Sequence, residues 1–66
     1  MMHQCVLEDK GLRLVIEQDE NVGFYLLVYD VTSGKTIADY LQDSLDLAKR
    51  HAKTLYGVDD SCWISP

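Results

Sequence analysis

The stretch that decides the fold is "GFYLLVYDV", Gly23 to Val31. Read as a β-strand, it points successive side chains to opposite faces of a sheet, and both faces are apolar or aromatic. One face carries Phe24, Leu26 and Val28, and the other carries Tyr25, Leu27 and Tyr29. Such a strand needs a covering on each face, whereas the rest of the sequence offers one amphipathic helix. The sequence therefore raises the question of what covers the second face.

Length and composition predict one small domain, residues 1–66. A chain of 66 residues buries only about 60% of the surface that its unfolded form exposes, so its core is marginal. Apolar residues make up 47% and charged residues 26% of the sequence, which excludes a disordered chain. No apolar run approaches the roughly 18 residues that span a membrane. Since no signal peptide is recognisable either, we expect a cytoplasmic, unprocessed protein without membrane association.

The charge of the chain bears on its partners. The net charge is −5, with acidic residues spread along the whole sequence. A phosphate backbone repels such a surface, so nucleic acid is disfavoured as a partner, and a basic protein is favoured. The basic residues Lys49, Arg50 and Lys53 lie close together around His51. We interpret them as cations that balance the dipole at a helix end, and a nucleic-acid site is the alternative.

Apolar alternation and turn residues predict a meander of strands before the helix. The predicted strands are Gln4 to Glu8, Leu12 to Gln18, Gly23 to Val31 and Lys35 to Leu41. The turns between them contain Gly11, Asn21 with Gly23, and Gly34, all suited to tight turns. Sequential strands joined by short turns pair antiparallel. We predict an α+β fold, a three- or four-stranded antiparallel β-meander packed on one face by a single C-terminal helix.

Helical spacing begins after the last predicted strand. The apolar stripe consists of Leu45, Ala48, Ala52, Leu55 and Tyr56. This spacing predicts a helix from Ser44 to Tyr56, with Asp43 as its N-cap. Gly57 followed by Val58 predicts a C-terminal stop, in which Val58 folds back on the helix.

The tail after the helix contains a large apolar residue and a cysteine. We expect Trp63 to fold back as a lid or a short edge strand, with Pro66 ending any pairing. Cys5 and Cys62 lie near opposite ends of the chain. In a reducing cytosol we expect them to be free, buried thiols, and a disulfide between them is the alternative.

One apolar strip is left over when the helix covers one face of the sheet. If Leu14 and Ile16 face the helix, the opposite face carries the residues that we take as the candidate binding surface. These residues are Val15, Tyr25, Leu27 and Tyr29, with Glu17 and Arg13 beside them. The opposite register would instead leave Phe24, Leu26 and Val28 outside. The strip can be covered by the tail or the amino-terminal segment, by a second copy in a homodimer, or by a different protein.

No arrangement of residues predicts catalysis. His3, Cys5, His51 and Cys62 lack the spacing of a zinc site, and nothing places Cys62 beside a base. "TSGK", Thr32 to Lys35, lacks the spacing of a phosphate-binding loop. We therefore predict no enzyme activity, no cofactor and no metal, with an uncharacterised thiol or metal protein as an alternative. The leading hypothesis is a small, acidic, non-enzymatic protein-binding module.

The segments "GFYLLVYDV" and "DSLDLAKRHA", within Gly23 to Ala52, together resemble HicB-type antitoxin domains. In that family a β-meander leads through an acidic cap with Ser or Thr and Leu into a helix. The resemblance implies a partial double-stranded-RNA-binding-like fold of β-β-β-α-β order. It also implies a protein that neutralises a small basic toxin. The hypothesis thus includes an antitoxin, immunity or inhibitor-type function.

Overall fold

The computed structural model describes residues 2–64 and contains one antiparallel sheet followed by one α-helix. The elements are β1 (Met2–Leu7), β2 (Leu12–Asp19), β3 (Gly23–Asp30), β4 (Thr36–Gln42) and α1 (Leu45–Tyr56). Short 3₁₀ turns occupy Glu8–Lys10 and Asp60–Cys62. The strands lie in the order β1-β2-β3-β4, each antiparallel to its neighbour. The predicted α+β meander with a C-terminal helix is confirmed. The observed order of four strands and then the helix differs from the β-β-β-α-β order that the resemblance implies.

The core lies between the sheet and α1. In the β2–β3 pair, Leu14 is opposite Val28 and Ile16 is opposite Leu26, so all four side chains share one face. The fully buried core residues are Cys5, Leu14, Ile16, Leu26, Val28, Ala48, Ala52 and Val58. The helix contributes only alanines to this set, and their small side chains let α1 lie close to the sheet. Sheet side chains therefore provide most of the buried apolar surface.

The N-cap of α1 is Ser44, so the predicted Asp43 cap is wrong. Ser44 has an extended backbone (φ −145°, ψ 162°). Its Oγ accepts a hydrogen bond from the backbone N–H of Leu47 at 3.2 Å. This is the N-cap to N3 bond that satisfies an otherwise unpaired amide of the first turn. Asp43 lies one residue too early to make it.

The end of α1 follows the predicted pattern. Gly57 has φ 70°, in the left-handed region, and its N–H donates to the carbonyl of Lys53 at 3.0 Å. Val58 is fully buried, as expected for the apolar residue that folds back. Lys10, from the turn after β1, adds a contact that the sequence does not predict. Its Nζ donates to the carbonyl of Tyr56 at 2.6 Å, where a cation complements the helix C-terminus.

Leu55 was predicted to lie in the buried stripe, and this prediction is wrong. Its side chain is 49% exposed, whereas Ala48 and Ala52 are fully buried. Leu55 lies on the flank of α1 that also carries Leu47 and His51. This flank overhangs β4, the last strand of the sheet. Since no further strand of the described chain lies beyond β4, nothing covers the end of the Leu55 side chain.

Cys5 and Cys62 form a disulfide, so the expectation of free thiols is wrong. The S–S distance is 1.98 Å and the Cα atoms are 5.4 Å apart. The expectation rested on the assumed compartment, whereas the fold brings the tail alongside β1. A bridge that closes a loop this long stabilises a domain by about 2 to 4 kcal/mol, chiefly by constraining the unfolded chain.

The tail adds a short edge pairing to the sheet. The backbone N–H of Gln4 donates to the carbonyl of Ile64 at 3.0 Å, and Ile64 donates back to Gln4 at 2.8 Å. Trp63 is partly buried and packs against the core residues. The expected return of the tail is thus confirmed as an edge pairing with β1. Pro66, expected to end the pairing, lies outside the described residues.

Two leucine substitutions test this core assignment. Leu26→Ala should lower the free energy of unfolding by about 2 to 5 kcal/mol, because it leaves a cavity among fully buried side chains. Leu55→Ala is the matched control and should cost within about 1 kcal/mol, because half of that side chain already contacts water. Urea unfolding with the disulfide intact measures both. Equal losses in the two variants would contradict the placement of α1.

Candidate functional site

The face of the sheet turned away from α1, here called the outer face, is the candidate site. The strand registers assign to it Met2, Gln4, Val6, Arg13, Val15, Glu17, Tyr25, Leu27, Tyr29, Asp39 and Leu41. Ile37, which falls at the irregularity in β4, is placed on it by its alternation with Asp39 and Leu41. All five residues of the candidate binding surface lie on it. Leu26 and Val28 are fully buried on the helix side, which decides between the two registers considered from the sequence.

The centre of the outer face is well packed. Val15 is only 4% exposed, although it points away from the helix, because it lies between Gln4 on β1 and Leu27 on β3. The guanidinium of Arg13 lies 4.9 Å from the centre of the Tyr29 ring. Arg13 Nη1 also donates to the Gln4 side-chain oxygen at 3.5 Å. The long side chains of this face thus lie along the sheet and hold a defined surface.

Tyr25, Leu27 and Tyr29, here called the row, are each partly exposed along the middle of β3. Tyrosine combines an apolar ring with a polar tip, which suits a surface that is wet when free and dry when bound. Glu17 lies opposite Tyr25 in the register and is exposed. The row therefore combines apolar surface with an acidic neighbour.

Apolar surface also extends to both edges of the outer face, which the sequence reasoning missed. Met2 and Val6 on β1 are each 43% exposed. Ile37 and Leu41 on β4 are 56% and 49% exposed. Their alternation within each strand is visible in the sequence. Whether residues of different strands lie on the same face depends on the register between the strands. With these residues all four strands carry exposed apolar side chains on this face, and Glu17 and Arg13 lie between those of β1 and the row. Exposed apolar surface rimmed by polar residues is typical of a contact surface.

The tail, as far as Ile64, does not cover the outer face. Trp63 packs against the core, and the Cys5–Cys62 bond lies on the same side of the sheet as the helix. The amino-terminal segment becomes β1 and extends the outer face instead of crossing over it. Within residues 2–64, therefore, neither the helix nor the tail shields this face.

The basic residues of α1 form a different surface. Lys49, Arg50 and Lys53 line a shallow depression of about 310 Å³ together with Asp46 and Asp60. The two carboxylates offset part of the positive charge. A nucleic-acid backbone would meet both positive and negative charges in this depression, and the negative charges weaken its electrostatic attraction to the protein.

Neither a metal centre nor a free thiol is found among the described residues. No group of three or more His, Cys, Asp or Glu side chains in that part of the chain is placed to hold a metal ion. Both cysteines are bonded to each other, so neither sulfur is available as a thiolate nucleophile or ligand. A search of the same residues for a helix that is long and apolar enough to cross a membrane finds none.

A polar cluster that the sequence did not predict joins α1 to β4. The hydroxyl oxygens of Tyr40 and Tyr56 lie 3.2 Å apart. The His51 ring packs against Tyr40 with the ring centres 4.5 Å apart and a tilt of 59°. The hydrogen bond with Tyr40, aided by partial burial, raises the pKa of Tyr56 to about 12. Because this cluster is partly buried and on the helix side, it positions the helix and lies apart from the outer face.

Comparison with known proteins adds no family to this description, because no family model, no curated protein and no solved structure matches the chain.

The raised pKa of Tyr56 predicts a loss of stability at alkaline pH. The unfolded chain releases this proton from its ordinary value of 10.0, whereas the folded protein holds it to about 12. The unfolded state therefore binds fewer protons between these values, and the free energy of unfolding falls as the pH rises through them. Tyr56→Phe should flatten that fall, as measured by urea unfolding at several pH values.

Tyr40→Phe provides the control, since it removes the partner and keeps the Tyr56 hydroxyl. It should return the pKa of Tyr56 towards 10.0, which tyrosine absorbance in the near ultraviolet follows. An unchanged alkaline fall in Tyr56→Phe would show that the pair does not cause it.

Proposed function

We propose that this protein is a small, acidic, non-enzymatic protein-binding module whose contact surface is the outer face. The observation that carries the proposal is apolar surface on all four strands, over which neither α1 nor the described part of the tail lies. A monomer gains nothing from exposing so much apolar area on one side. Binding a partner would remove it from water.

The composition of the outer face indicates the kind of partner. Tyr25 and Tyr29 supply large, rigid side chains of the type that dominates binding energy in interfaces. Glu17 and Asp39 are exposed on the same face and outnumber Arg13, the one cation that the described strands place there, and the whole chain has a net charge of −5. A partner with an apolar centre and a basic rim complements this arrangement, and the charge difference would also speed encounter.

The rigidity of the sheet supports the same function. Paired strands hold the row in one geometry before binding, so little conformational entropy is lost when a partner arrives. The contact between Arg13 and Tyr29 already orders two of the longest side chains. The side chains of the outer face are thus already ordered before a partner binds.

An antitoxin, immunity or inhibitor-type protein is the form of module that we propose, following the resemblance to HicB-type antitoxin domains. Such proteins act by occupying a surface of another protein, which needs neither a cofactor nor a metal. Association of two copies through the outer face is the second form. It uses the same residues but would bring two acidic surfaces together, which favours a basic partner over a second copy.

A nucleic-acid-binding function through Lys49, Arg50 and Lys53 is the less favoured proposal. Asp46 and Asp60 line the same depression, and the net charge of −5 opposes the approach of a polyanion.

The compartment in which the module works is linked to its disulfide. Disulfides persist in oxidising compartments and are rare in the cytosol. The cytoplasmic localisation expected from the sequence stays a prediction, and the Cys5–Cys62 bond is the observation that opposes it.

The double variant Tyr25→Ser, Leu27→Ser tests the proposed contact surface. It should fold, because the row lies outside the core, with a loss of unfolding free energy within about 2 kcal/mol. It should lose capture of the partner from a lysate of the native host. If self-association depends on the row, it should lose that as well, as sedimentation equilibrium would show.

Val22→Ser is the matched control, because Val22 is 48% exposed in the turn between β2 and β3. It should keep every interaction of the parent. Unfolding of the double variant would show that the row belongs to the core. A folded double variant that binds everything the parent binds would exclude the outer face as the contact surface.

A further inference from the structure

The two edges of the sheet are not alike. At the β1 edge, Gln4 exchanges two backbone hydrogen bonds with Ile64 in the tail. β4 is the other edge, paired with β3 on one side. Among the described residues, no backbone group pairs with its far side. The bulge in β4 falls near its start, opposite the Val28/Tyr29 step, which leaves Ala38 to Gln42 regular. This edge offers a row of backbone donors and acceptors to an added strand.

A flank of α1 extends the β4 edge into a groove. Leu47, His51 and Leu55 succeed each other at one-turn spacing on the side of the helix above β4, where His51 packs on Tyr40. Leu47 is 38% exposed and Leu55 is 49% exposed. Together with Gln42, Arg50 and Thr54, these residues line a shallow groove of about 200 Å³. The groove lies beside the edge that lacks a strand.

The spacing of the two leucines fits a strand. Eight residues of helix separate Leu47 from Leu55, a distance of about 12 Å along the axis. In an added strand, side chains on one face recur about every 6.8 Å, so positions four apart are separated by about 13.5 Å. An added strand that pairs with β4 and runs along this flank would place apolar side chains four positions apart against the two leucines. Backbone pairing would supply affinity, and the groove would supply selectivity.

The charge of Asp39 favours a strand from a different protein over a strand from a second copy. It lies at the midpoint of β4 (Thr36–Gln42) and is exposed on the outer face. Antiparallel pairing of two copies centred on Asp39 would set that residue directly opposite Asp39 of the second copy, and pairing centred on Tyr40, the middle of the regular stretch, would set the two carboxylates diagonally on the same face. Like charges directly opposite each other destabilise a strand pair, and edge charges commonly prevent self-pairing. A lysine or arginine at that position of another strand would instead be attracted.

We propose that the β4 edge and the Leu47–His51–Leu55 flank together bind one extended segment of a different protein. That segment carries apolar residues at alternate positions facing α1 and a basic residue facing Asp39. The groove and the β4 edge do not include the row, and Asp39, which lies opposite Leu27, is the one residue that this site shares with the outer face. The inference thus goes beyond the function proposed above. It adds a strand-addition site to a module whose sheet already exposes one face.

The peptide KVTVKVTVK, acetylated and amidated at its ends, is the probe. Its valines share one strand face, and a central lysine lies on the other. The control peptide VVKTKTKVV has the same composition and charge without the alternation. Titration calorimetry should show the alternating peptide binding at least about tenfold tighter than the control. Amide hydrogen exchange should show new protection in β4.

Substitutions in the protein complete the test. Leu47→Ser with Leu55→Ser should weaken the alternating peptide by about tenfold or more, and Asp39→Asn should weaken it as well. Val22→Ser should leave its affinity unchanged. The Tyr25→Ser, Leu27→Ser variant should also keep its affinity, which separates this site from the row.

Equal binding of the two peptides, no binding, or binding without protection in β4 would each overturn the proposal. So would a parent protein that sediments as a dimer and becomes a monomer when Leu47 and Leu55 are replaced by serine. That outcome would identify a second copy as the occupant.

Discussion

The packing of α1 on one face of the sheet is the interaction on which the rest of the structure depends. Ala48 and Ala52 bring the helix close to Leu14, Ile16 and Leu26, so the single helix completes one core. The same contact commits the opposite side chains of every strand to the outer face, because a strand alternates its side chains strictly. The one α-helix of this 66-residue chain packs on that core and therefore covers only one face of the sheet.

The termini reinforce this single core. The Cys5–Cys62 bond holds the tail on the helix side, where Trp63 adds to the buried surface, and the pairing of Gln4 with Ile64 then joins the tail to the β1 edge. A domain this small buries a modest fraction of its surface, so a covalent link is a substantial part of its stability. The stabilising elements thus lie on one side of the sheet and the candidate contact surface on the other.

Local patterns in the sequence predicted most of the fold. The strand order, the helix and the Gly57–Val58 end each depend on residues within a few positions of one another, and all are confirmed. The disulfide was missed because Cys5 and Cys62 meet only through the folded sheet. Leu55 was placed in the core because helical spacing does not reveal where the sheet beneath the helix ends.

The candidate site was predictable to a similar degree. Alternation in β2 and β3 identified the row and Val15, since both strands have clear faces. It did not identify Ile37 or Leu41, because their membership depends on the register of β4 and on its bulge. The pair of Tyr40 and Tyr56 likewise joins a strand to a helix, and such contacts between distant segments leave no local pattern.

The central claim is that the outer face of the free protein is open to water while the helix side is closed. Methyl signals of the monomer, measured with a soluble paramagnetic agent, test it most directly. Leu41 and Ile37, about half exposed, should broaden strongly, whereas Leu26 and Val28, fully buried, should not. Equal protection of Leu41 and Leu26 in the monomer would contradict the account, because it would mean that the chain covers both faces of its own sheet.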